Sequence, residues 1–350
     1  MIRTVYPTMF VLAACVGVAA EGCGRAEMSG AGAAVRVRET RRLMGVPWTI
    51  TLYAAREAAG QAAITAAFAE IARLEGVLSD YDPRSEVSQL SEAAPTAAPV
   101  SVSADLWQVL REAVAWRDAS AGAFDPTIGP LTRLWRQARR SGVMPRADKL
   151  AAARQAVGAR TLELDEERMT VVLREPAMRL DLGGIGMGYA IDRGMDVLAM
   201  HGITSAMIDA SGDIAVSGPP PGAAAWTIEV DARGDGDDAV KEMLALVNAA
   251  VTTSGDAFQV VEIDGVRYSH IIDPRTGLGV AGPAAVTVIA ADCTTADAVA
   301  TAASVLGAKA GIAFVETVPG AAARFVTSRD GELREMHSSR WSAQLAQSPR

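Results

Sequence analysis

Apolar and polar residues alternate along many short segments of this chain, and such alternation predicts strands with one buried face. The segment WTITLYA (48–54) shows the pattern first, and most segments beyond residue 160 share it. These segments follow one another in runs, separated by turn-forming Gly, Pro, Asp and Ser. The predicted strands cover residues 48–54, 161–164, 169–173, 178–182, 205–210, 213–218, 225–232, 249–255, 258–263, 284–291 and 323–328.

Apolar residues spaced three and four positions apart predict helices between these runs. Ile64, Phe68 and Ile71 show this spacing in the first of them, and Ser103 is a good N-cap for the second. Because strands come in consecutive runs and helices are grouped between them, the pattern predicts an α+β fold with largely antiparallel sheets and packed helices. The predicted helices cover residues 55–78, 103–119, 147–157, 183–202 and 296–306.

The composition supports a large folded domain and argues against one class of partner. Half of the 350 residues are apolar, which is enough for a sizeable core. The net charge is −8, and the chain contains no long run of Lys or Arg. Nucleic-acid binding needs a concentrated positive surface, so no nucleic-acid partner is expected.

The N-terminal sequence predicts that the protein is exported. Residues 1–23 begin with a basic Arg3 and continue as an apolar run rich in small residues, which is typical of a secretory leader. The LAAC sequence ending at Cys15 matches a bacterial lipoprotein signal, and Cys23 is a second candidate for lipidation. A cleaved leader without lipid is the alternative. Residues 24–40, rich in Gly, Ala and Arg, are predicted to be a flexible tether.

One large folded domain is predicted over residues 41–340. It contains a single cysteine, Cys293, so no internal disulfide can form and the core must supply the stability. The protein is expected at the periplasmic face of the inner membrane or elsewhere in the cell envelope, held by a lipid anchor.

A glycine-rich segment, DLGGIGMGYAID (181–192), is predicted to join a strand to a helix. Backbone amides at such a junction can cradle an anion, and the helix N-terminus adds a positive partial charge. Close packing of a helix is an equally good explanation. The spacing of Gly184, Gly186 and Gly188 does not match G-x-G-x-x-G, which disfavours a Rossmann-type dehydrogenase.

Asp297 and Thr301 lie four residues apart in a predicted helix and therefore share one face. A carboxylate and a hydroxyl one turn apart offer two hard oxygen ligands, which suit Mg²⁺. Thr294 with Asp297 also has the spacing of a capping box, which needs no ligand. The spacing alone leaves both interpretations open.

Three further polar or aromatic residues fall in turn-rich segments. His270 precedes the turn DPRTG and is either a general base or phosphate-binding group, or a structural histidine. Tyr81 and Phe124 lie on irregular loops, where an aromatic face could stack on a planar ring or fill the edge of the core.

Taken together and in order, these segments resemble the ApbE family of flavin transferases (FAD:protein FMN transferases). The resemblance extends from about Met44 to Leu306. The most specific signals are the HIIDPRTG segment and the A-D-x-x-x-T helix. The matching segments are LMGVPWTITLY, YDPRSEVSQL, GAFDPTIGPL, DLGGIGMGYAID, IDASGDIAVSG, TTSGDAFQV, YSHIIDPRTG and VTVIAADCTTADAVATAASVLG.

The resemblance implies an ApbE-like (T-fold-like) architecture and an enzyme that uses FAD and Mg²⁺. Such an enzyme moves FMN from FAD to a Thr or Ser hydroxyl of an acceptor flavoprotein and releases AMP. By resemblance, the acceptor is a subunit of a membrane redox complex or another extracytoplasmic flavoprotein. By resemblance, Asp297, the Thr301 hydroxyl and the Gly184 carbonyl hold the metal. His270 takes the proton of the acceptor hydroxyl, with Asp273 or Asp256 as alternatives. The residues that line the FAD site by resemblance are Met44, Tyr81, Ala123, Phe124, Asp125, Asp181, Met187 and Ile272.

Two positions depart from the family pattern. Met187 stands where many relatives have Lys, and Ser91 stands where Asn often follows the Ser-Glu-x-Ser-x-Leu pattern. A phosphate or adenine contact of those relatives is expected to be absent at Met187. Neither departure alters the predicted metal ligands or His270, so the reaction type is expected to be unchanged.

Two other functions use the same residues. One is a Mg²⁺-dependent FAD pyrophosphatase, in which water replaces the acceptor and free FMN is released. The other is a non-catalytic flavin-binding lipoprotein, although a carrier would not need paired metal ligands.

Overall fold

A computed structural model describes residues 34–158, 160–231, 241–255, 260–281, 284–329 and 332–345. The predicted leader with Cys15 and Cys23, the tether up to residue 33, and Asp256 lie outside these residues. The eight helices among them are α1 (Glu57–Leu78), α2 (Glu86–Glu92), α3 (Ala104–Ala119), α4 (Gly129–Ser141), α5 (Ala147–Gln155), α6 (Gly186–Met200), α7 (Cys293–Leu306) and α8 (Ala308–Thr317).

Sixteen strands lie in the same part of the chain, and a 3₁₀ helix spans Trp341–Gln344. The strands are β1 (Val35–Leu43), β2 (Val46–Ala54), β3 (Val100–Ser101), β4 (Leu162–Asp165), β5 (Thr170–Leu173), β6 (Ala206–Ala210), β7 (Asp213–Val216), β8 (Trp226–Asp231), β9 (Lys241–Leu246), β10 (Ala249–Gly255), β11 (Val260–Ile263), β12 (Val266–Ile272), β13 (Gly279–Ala281), β14 (Ala284–Ala290), β15 (Ala322–Arg329) and β16 (Glu332–His337).

The largest sheet has eight strands in the order β1-β2-β6-β7-β10-β14-β15-β16. Every strand pair within it is antiparallel. Three smaller sheets, β11-β12-β13, β3-β5-β4 and β8-β9, are antiparallel as well. The predicted α+β fold with largely antiparallel sheets and packed helices is confirmed.

Helices cover one face of the large sheet. α1 packs on α6, α6 packs on α7, and α7 lies against β10 and β14. The buried face of α1 carries Ile64, Phe68 and Ile71, the residues whose spacing predicts the helix. The β8–β9 hairpin and Trp341 cover the opposite face, where Trp226 is fully buried.

A separate apolar cluster joins α4 to the β11-β12-β13 sheet. Trp135 of α4 is buried there beside Ile272 of β12. The centroid of its ring lies 5.1 Å from the ring centroid of Tyr268, which is on the same strand as Ile272. The indole of Trp135 also donates a 2.8 Å hydrogen bond to the carbonyl of Gly277. Through these contacts α4 fixes the DPRTG turn that follows β12.

Several predicted boundaries are wrong. β1 begins at Val35, within the predicted tether of residues 24–40, and pairs with β2 along its whole length. The apolar contacts also continue past residue 340, because Trp341 is buried. Residues 178–182, predicted as a strand, form no ladder; the amide of Leu180 instead donates to the Ser91 hydroxyl.

Of the described helices, none is both long enough and apolar enough to cross a bilayer.

Candidate functional site

The candidate site is centred where the start of α6 crosses the first turns of α7. Gly188 makes this crossing possible, because a Cβ at that position would lie 2.3 Å from the carbonyl oxygen of Cys293. The close approach lets the amide of Gly188 donate a 3.2 Å hydrogen bond to the carboxylate of Asp297. Close helix packing, one of the two explanations of the glycine-rich segment, is therefore correct for Gly188.

Asp297 is not part of a helix cap. The N-cap of α7 is Asp292, whose carboxylate accepts a 2.7 Å hydrogen bond from the amide of Thr295. The amide and hydroxyl of Thr294 donate instead to Asp192 of α6. The capping-box interpretation of Thr294 and Asp297 is therefore wrong, and the carboxylate of Asp297 does not cap α7.

Asp297 is strongly disfavoured as a bare anion. It is 5% exposed, and burial together with the nearby Asp213 raises the pKa of its carboxyl well above the usual range. Burial also raises the pKa of Asp213 to about 7, with Asp209 adding to the effect. Among the residues that the structure describes, no Arg or Lys forms an ion pair with Asp297 or Asp213.

Thr301, one turn after Asp297, lies directly against Gly184. A Cβ on Gly184 would be 2.8 Å from the Thr301 hydroxyl oxygen and 3.2 Å from the ring of Phe124. Only glycine can bring its backbone this close to the hydroxyl. The structure therefore brings together two of the three predicted metal ligands, Thr301 and Gly184, and places Asp297 on the same helix.

This oxygen set fits a hard divalent cation. A carboxylate, a hydroxyl and a backbone carbonyl are the donors that Mg²⁺ and Ca²⁺ accept. A buried carboxylate near a second one, with no cationic side chain paired to either in the described chain, is an excess of negative charge that a cation would neutralise.

We expect the stability gained from a cation to depend on pH. A carboxyl whose pKa is raised in the folded state favours the protonated form, so its contribution to stability is lost as pH rises from the unfolded value of about 3.9 through the folded value. For Asp213 that folded value is about 7. The increase in melting temperature on adding Mg²⁺ should therefore be larger at pH 8 than at pH 5. An increase of equal size at both pH values, or a larger one at pH 5, would contradict this.

Two residues predicted to line the FAD site, Met44 and Tyr81, lie near the end of α1. A Cβ on Gly186, at the start of α6, would lie 3.8 Å from Leu78, the last residue of α1. Tyr81 follows α1 and is 70% exposed. Met44 lies in the two-residue turn between β1 and β2, and its amide donates to Glu75 in the last turn of α1.

The Ala123–Phe124–Asp125 segment lies on the loop between α3 and α4. Phe124 is 3% exposed and packs against Gly184, so its ring fills the edge of the core and offers no open face for stacking. Of the two candidate stacking rings, only Tyr81 is exposed. Asp125 accepts hydrogen bonds from the amide and hydroxyl of Thr127, and burial raises the pKa of its carboxyl.

A cleft of about 440 Å³ opens beside this loop. Its walls include Asp125, Gly122 and the turn residues Pro274 and Arg275. Ile272, two residues before Pro274, is itself buried in the α4 cluster. The cleft lies between the loop that carries Asp125 and the DPRTG turn, and Ile272 does not line it.

His270 lies in an irregular part of β12. Tyr268 pairs with Ala281 and Ile272 with Gly279, so β12 has two more residues than β13 across this interval. Such bulges redirect side chains and are common beside active sites. β12 also packs against α7, the helix that carries Asp297 and Thr301.

Asp273, an alternative base, is engaged elsewhere. Its carboxylate accepts hydrogen bonds from the amide and the guanidinium of Arg275, at 2.8 to 3.0 Å. That pairing closes the DPRTG turn.

Sequence patterns did not identify three charged residues around the site. Asp213 lies at the start of β7, close enough to raise the pKa of Asp297. Asp192 of α6 accepts hydrogen bonds from the amides of Cys293 and Thr294 and so fixes the start of α7. Arg136 of α4 contacts both Tyr81 and Asp181. No local pattern distinguishes these residues, because their partners are distant in sequence.

The chain is similar to known proteins in family, in sequence and in structure. The model of the ApbE family matches residues 44–325. A FAD:protein FMN transferase of Vibrio cholerae is 33% identical over 242 residues, 68% of this chain and 72% of the relative. One from Treponema pallidum is 33% identical over 318 residues, 84% of this chain and 86% of the relative.

Solved structures agree with these matches. The flavin transferase ApbE from Vibrio cholerae superposes with a TM-score of 0.79 at 30% identity, over 89% of this chain and all of that one. The apo form of Pseudomonas stutzeri flavinyl transferase ApbE gives a TM-score of 0.80 at 27% identity, over 92% of this chain and all of that one.

Proposed function

The chain belongs to the ApbE family and is a FAD:protein FMN transferase; on that premise we propose that it works with a divalent cation, Mg²⁺ by preference, held by Asp297, Thr301 and the carbonyl of Gly184. The acceptor is a Thr or Ser hydroxyl of a partner flavoprotein. The observation that carries the proposal is the contact between Gly184 and the Thr301 hydroxyl, one helical turn from the buried Asp297.

The reaction makes one bond and breaks another. The oxygen of the acceptor hydroxyl attacks the phosphorus of the FMN half of FAD and forms a phosphoester. The bond from that phosphorus to the bridging oxygen breaks, and AMP leaves with the electron pair. The hydroxyl proton passes to a base of the enzyme. A bound cation would neutralise the charge that develops on the diphosphate.

The residues of the chain orient the reactants and handle the proton. Tyr81 offers an exposed ring for stacking on the isoalloxazine. His270, on the irregular part of β12 that packs on α7, takes the proton of the acceptor hydroxyl. Asp273 is less suited to this role, because Arg275 occupies its carboxylate.

The direct test is incubation with FAD and a candidate acceptor, with and without chelator. We expect covalently fluorescent acceptor and AMP in equal amounts when Mg²⁺ is present, and neither with EDTA. Free FMN without labelled acceptor would indicate a pyrophosphatase. FAD that remains intact with Mg²⁺ and acceptor present would indicate a carrier.

We also propose that the chain is exported and held at the periplasmic face of the inner membrane or in the cell envelope by a lipid. This rests on the leader pattern of residues 1–23, with Cys15 and Cys23 as candidate lipidation sites. Metabolic labelling with a palmitate analogue should label the native chain. Loss of the label in Cys15→Ala or in Cys23→Ala identifies the site, and an unlabelled native chain contradicts the anchor.

A further inference from the structure

One face of the exposed Tyr81 ring is covered by an arginine. The guanidinium carbon of Arg136 lies 3.8 Å from the centre of the ring, which is cation–π contact. Arg139, one turn away on α4, hydrogen-bonds the Tyr81 side chain. Tyr81 itself is 70% exposed, so its other face is open. An exposed tyrosine on a loop would otherwise sample several rotamers, and these two contacts hold it in one.

The same guanidinium is held by two carboxylates. Arg136 donates to both oxygens of Asp80, at 2.6 and 3.2 Å, and lies 3.5 Å from a carboxylate oxygen of Asp181. The side chains of Arg136 and Asp80 are only 16% and 18% exposed. Burial and the charge of Asp181 raise the pKa of Asp80. The two partly buried carboxylates of Asp80 and Asp181 thus both contact the guanidinium of Arg136 and fix its position.

Asp181 continues this chain of contacts to the glycine turn. Its carboxylate accepts a 2.9 Å hydrogen bond from the amide of Gly183, and its own amide donates to the carbonyl of Pro126. Gly183 precedes Gly184, the residue in contact with the Thr301 hydroxyl. The position of Arg136 therefore affects both Tyr81 and the turn that leads to the proposed cation site.

α4 is well suited to support such a link. Its Trp135 is 2% exposed and is fixed to the carbonyl of Gly277, so the helix cannot shift easily. Arg136, the next residue, lies on a different side of the helix and contacts Asp80 and Tyr81, just beyond the end of α1. An arginine is needed there, because its planar fork can lie flat on a ring and pair with carboxylates at once, and a lysine cannot.

We propose that Arg136 is a positioning residue for FAD: it holds Tyr81 for stacking on the isoalloxazine and, through Asp181, holds the Gly183–Gly184 turn near the diphosphate. This rests on the proposed function, since it assumes that FAD occupies this site. It assigns a role to a side chain that need not contact the reacting atoms.

The test compares Arg136→Met with Arg133→Met. Arg133 lies on the same helix and is exposed. Its replacement by Met removes one positive charge, as the replacement of Arg136 does. FAD affinity is measured by titration calorimetry in EDTA, where turnover is not expected, and ring stacking by the visible circular dichroism of bound flavin. We expect Arg136→Met to weaken FAD binding about tenfold or more, equivalent to about 1.4 kcal/mol, and to lose most of the flavin signal. Arg136→Lys should recover part of both, and Arg133→Met should match the native chain within about twofold.

Loss of Arg136 also leaves two carboxylates unpaired, so Arg136→Met could unfold locally. The double variant Asp80→Asn/Arg136→Met removes that repulsion, and its melting temperature reports whether the fold has recovered. A folded double variant that still lacks the flavin signal supports the proposal. Either variant binding FAD within twofold of the native chain, with the full signal, overturns it. If the native chain binds FAD but does not label an acceptor, the proposed transfer is overturned. The comparison of FAD binding between the Arg136 and Arg133 variants still holds in that case.

Discussion

Replacing Asp297 with asparagine is expected to reduce FMN transfer by at least 10²–10³-fold, about 3 kcal/mol or more of transition-state stabilisation. Asparagine keeps the shape and can still accept the hydrogen bond from Gly188, but it removes the charged ligand. Fold stability should not suffer. The native carboxylate is buried near Asp213 and has a pKa well above its usual range. The cation-free variant should therefore melt at the same temperature as the native protein at pH 8, or higher, and should lose the increase caused by Mg²⁺.

Asp292→Asn is the matched control for this change. Asp292 caps the same helix, and asparagine is a good N-cap, so the same chemical change should leave transfer within about threefold of native. Equal losses in the two variants would show that α7 needs acidic residues for its structure. An Asp297→Asn variant that transfers FMN at the native rate with Mg²⁺ would refute the assigned ligand.

Replacing His270 with asparagine is expected to lower kcat by about 10²–10⁴-fold, the usual contribution of general acid–base catalysis. KM for FAD should change by less than about threefold, because the proposed role concerns the proton of the acceptor and not the binding of FAD. Steady-state kinetics with saturating acceptor checks both values.

Asp273→Asn separates the two described candidates for the base. Its carboxylate is paired with Arg275, so its loss should loosen the turn and lower the melting temperature while kcat falls less than about tenfold. A larger loss of kcat in Asp273→Asn than in His270→Asn would move the role of base from the histidine to the aspartate.

Sequence patterns predict the elements that carry the site better than the contacts between them. The four-residue spacing of Asp297 and Thr301 predicts a shared helix face, and both residues lie on α7. The spacing cannot show that Gly184 lies against Thr301 or that Gly188 donates to Asp297 across 109 positions. These contacts arise from the crossing of α6 and α7, which depends on tertiary packing.

The errors in element boundaries have local physical causes. β1 lies at the edge of the large sheet with most of its side chains exposed. Its arginine-rich sequence therefore resembles that of a linker. α4 begins with Gly129 and Pro130, which suggest a loop, yet proline is well tolerated in the first turn of a helix. The sequence pattern therefore does not predict α4, and it gives no sign that Arg136 lies beside Tyr81.

We propose that Asp297, Thr301 and Gly184 hold a divalent cation opposite the diphosphate of FAD. Crystals grown with Mn²⁺ and ADP, and measured for anomalous scattering of manganese, test it directly. We expect one strong peak within about 2.0–2.4 Å of a carboxylate oxygen of Asp297, the Thr301 hydroxyl and the Gly184 carbonyl, with a phosphate oxygen of ADP as a further ligand. A well-ordered ADP with no peak at these oxygens, or with its only peak elsewhere, would contradict it.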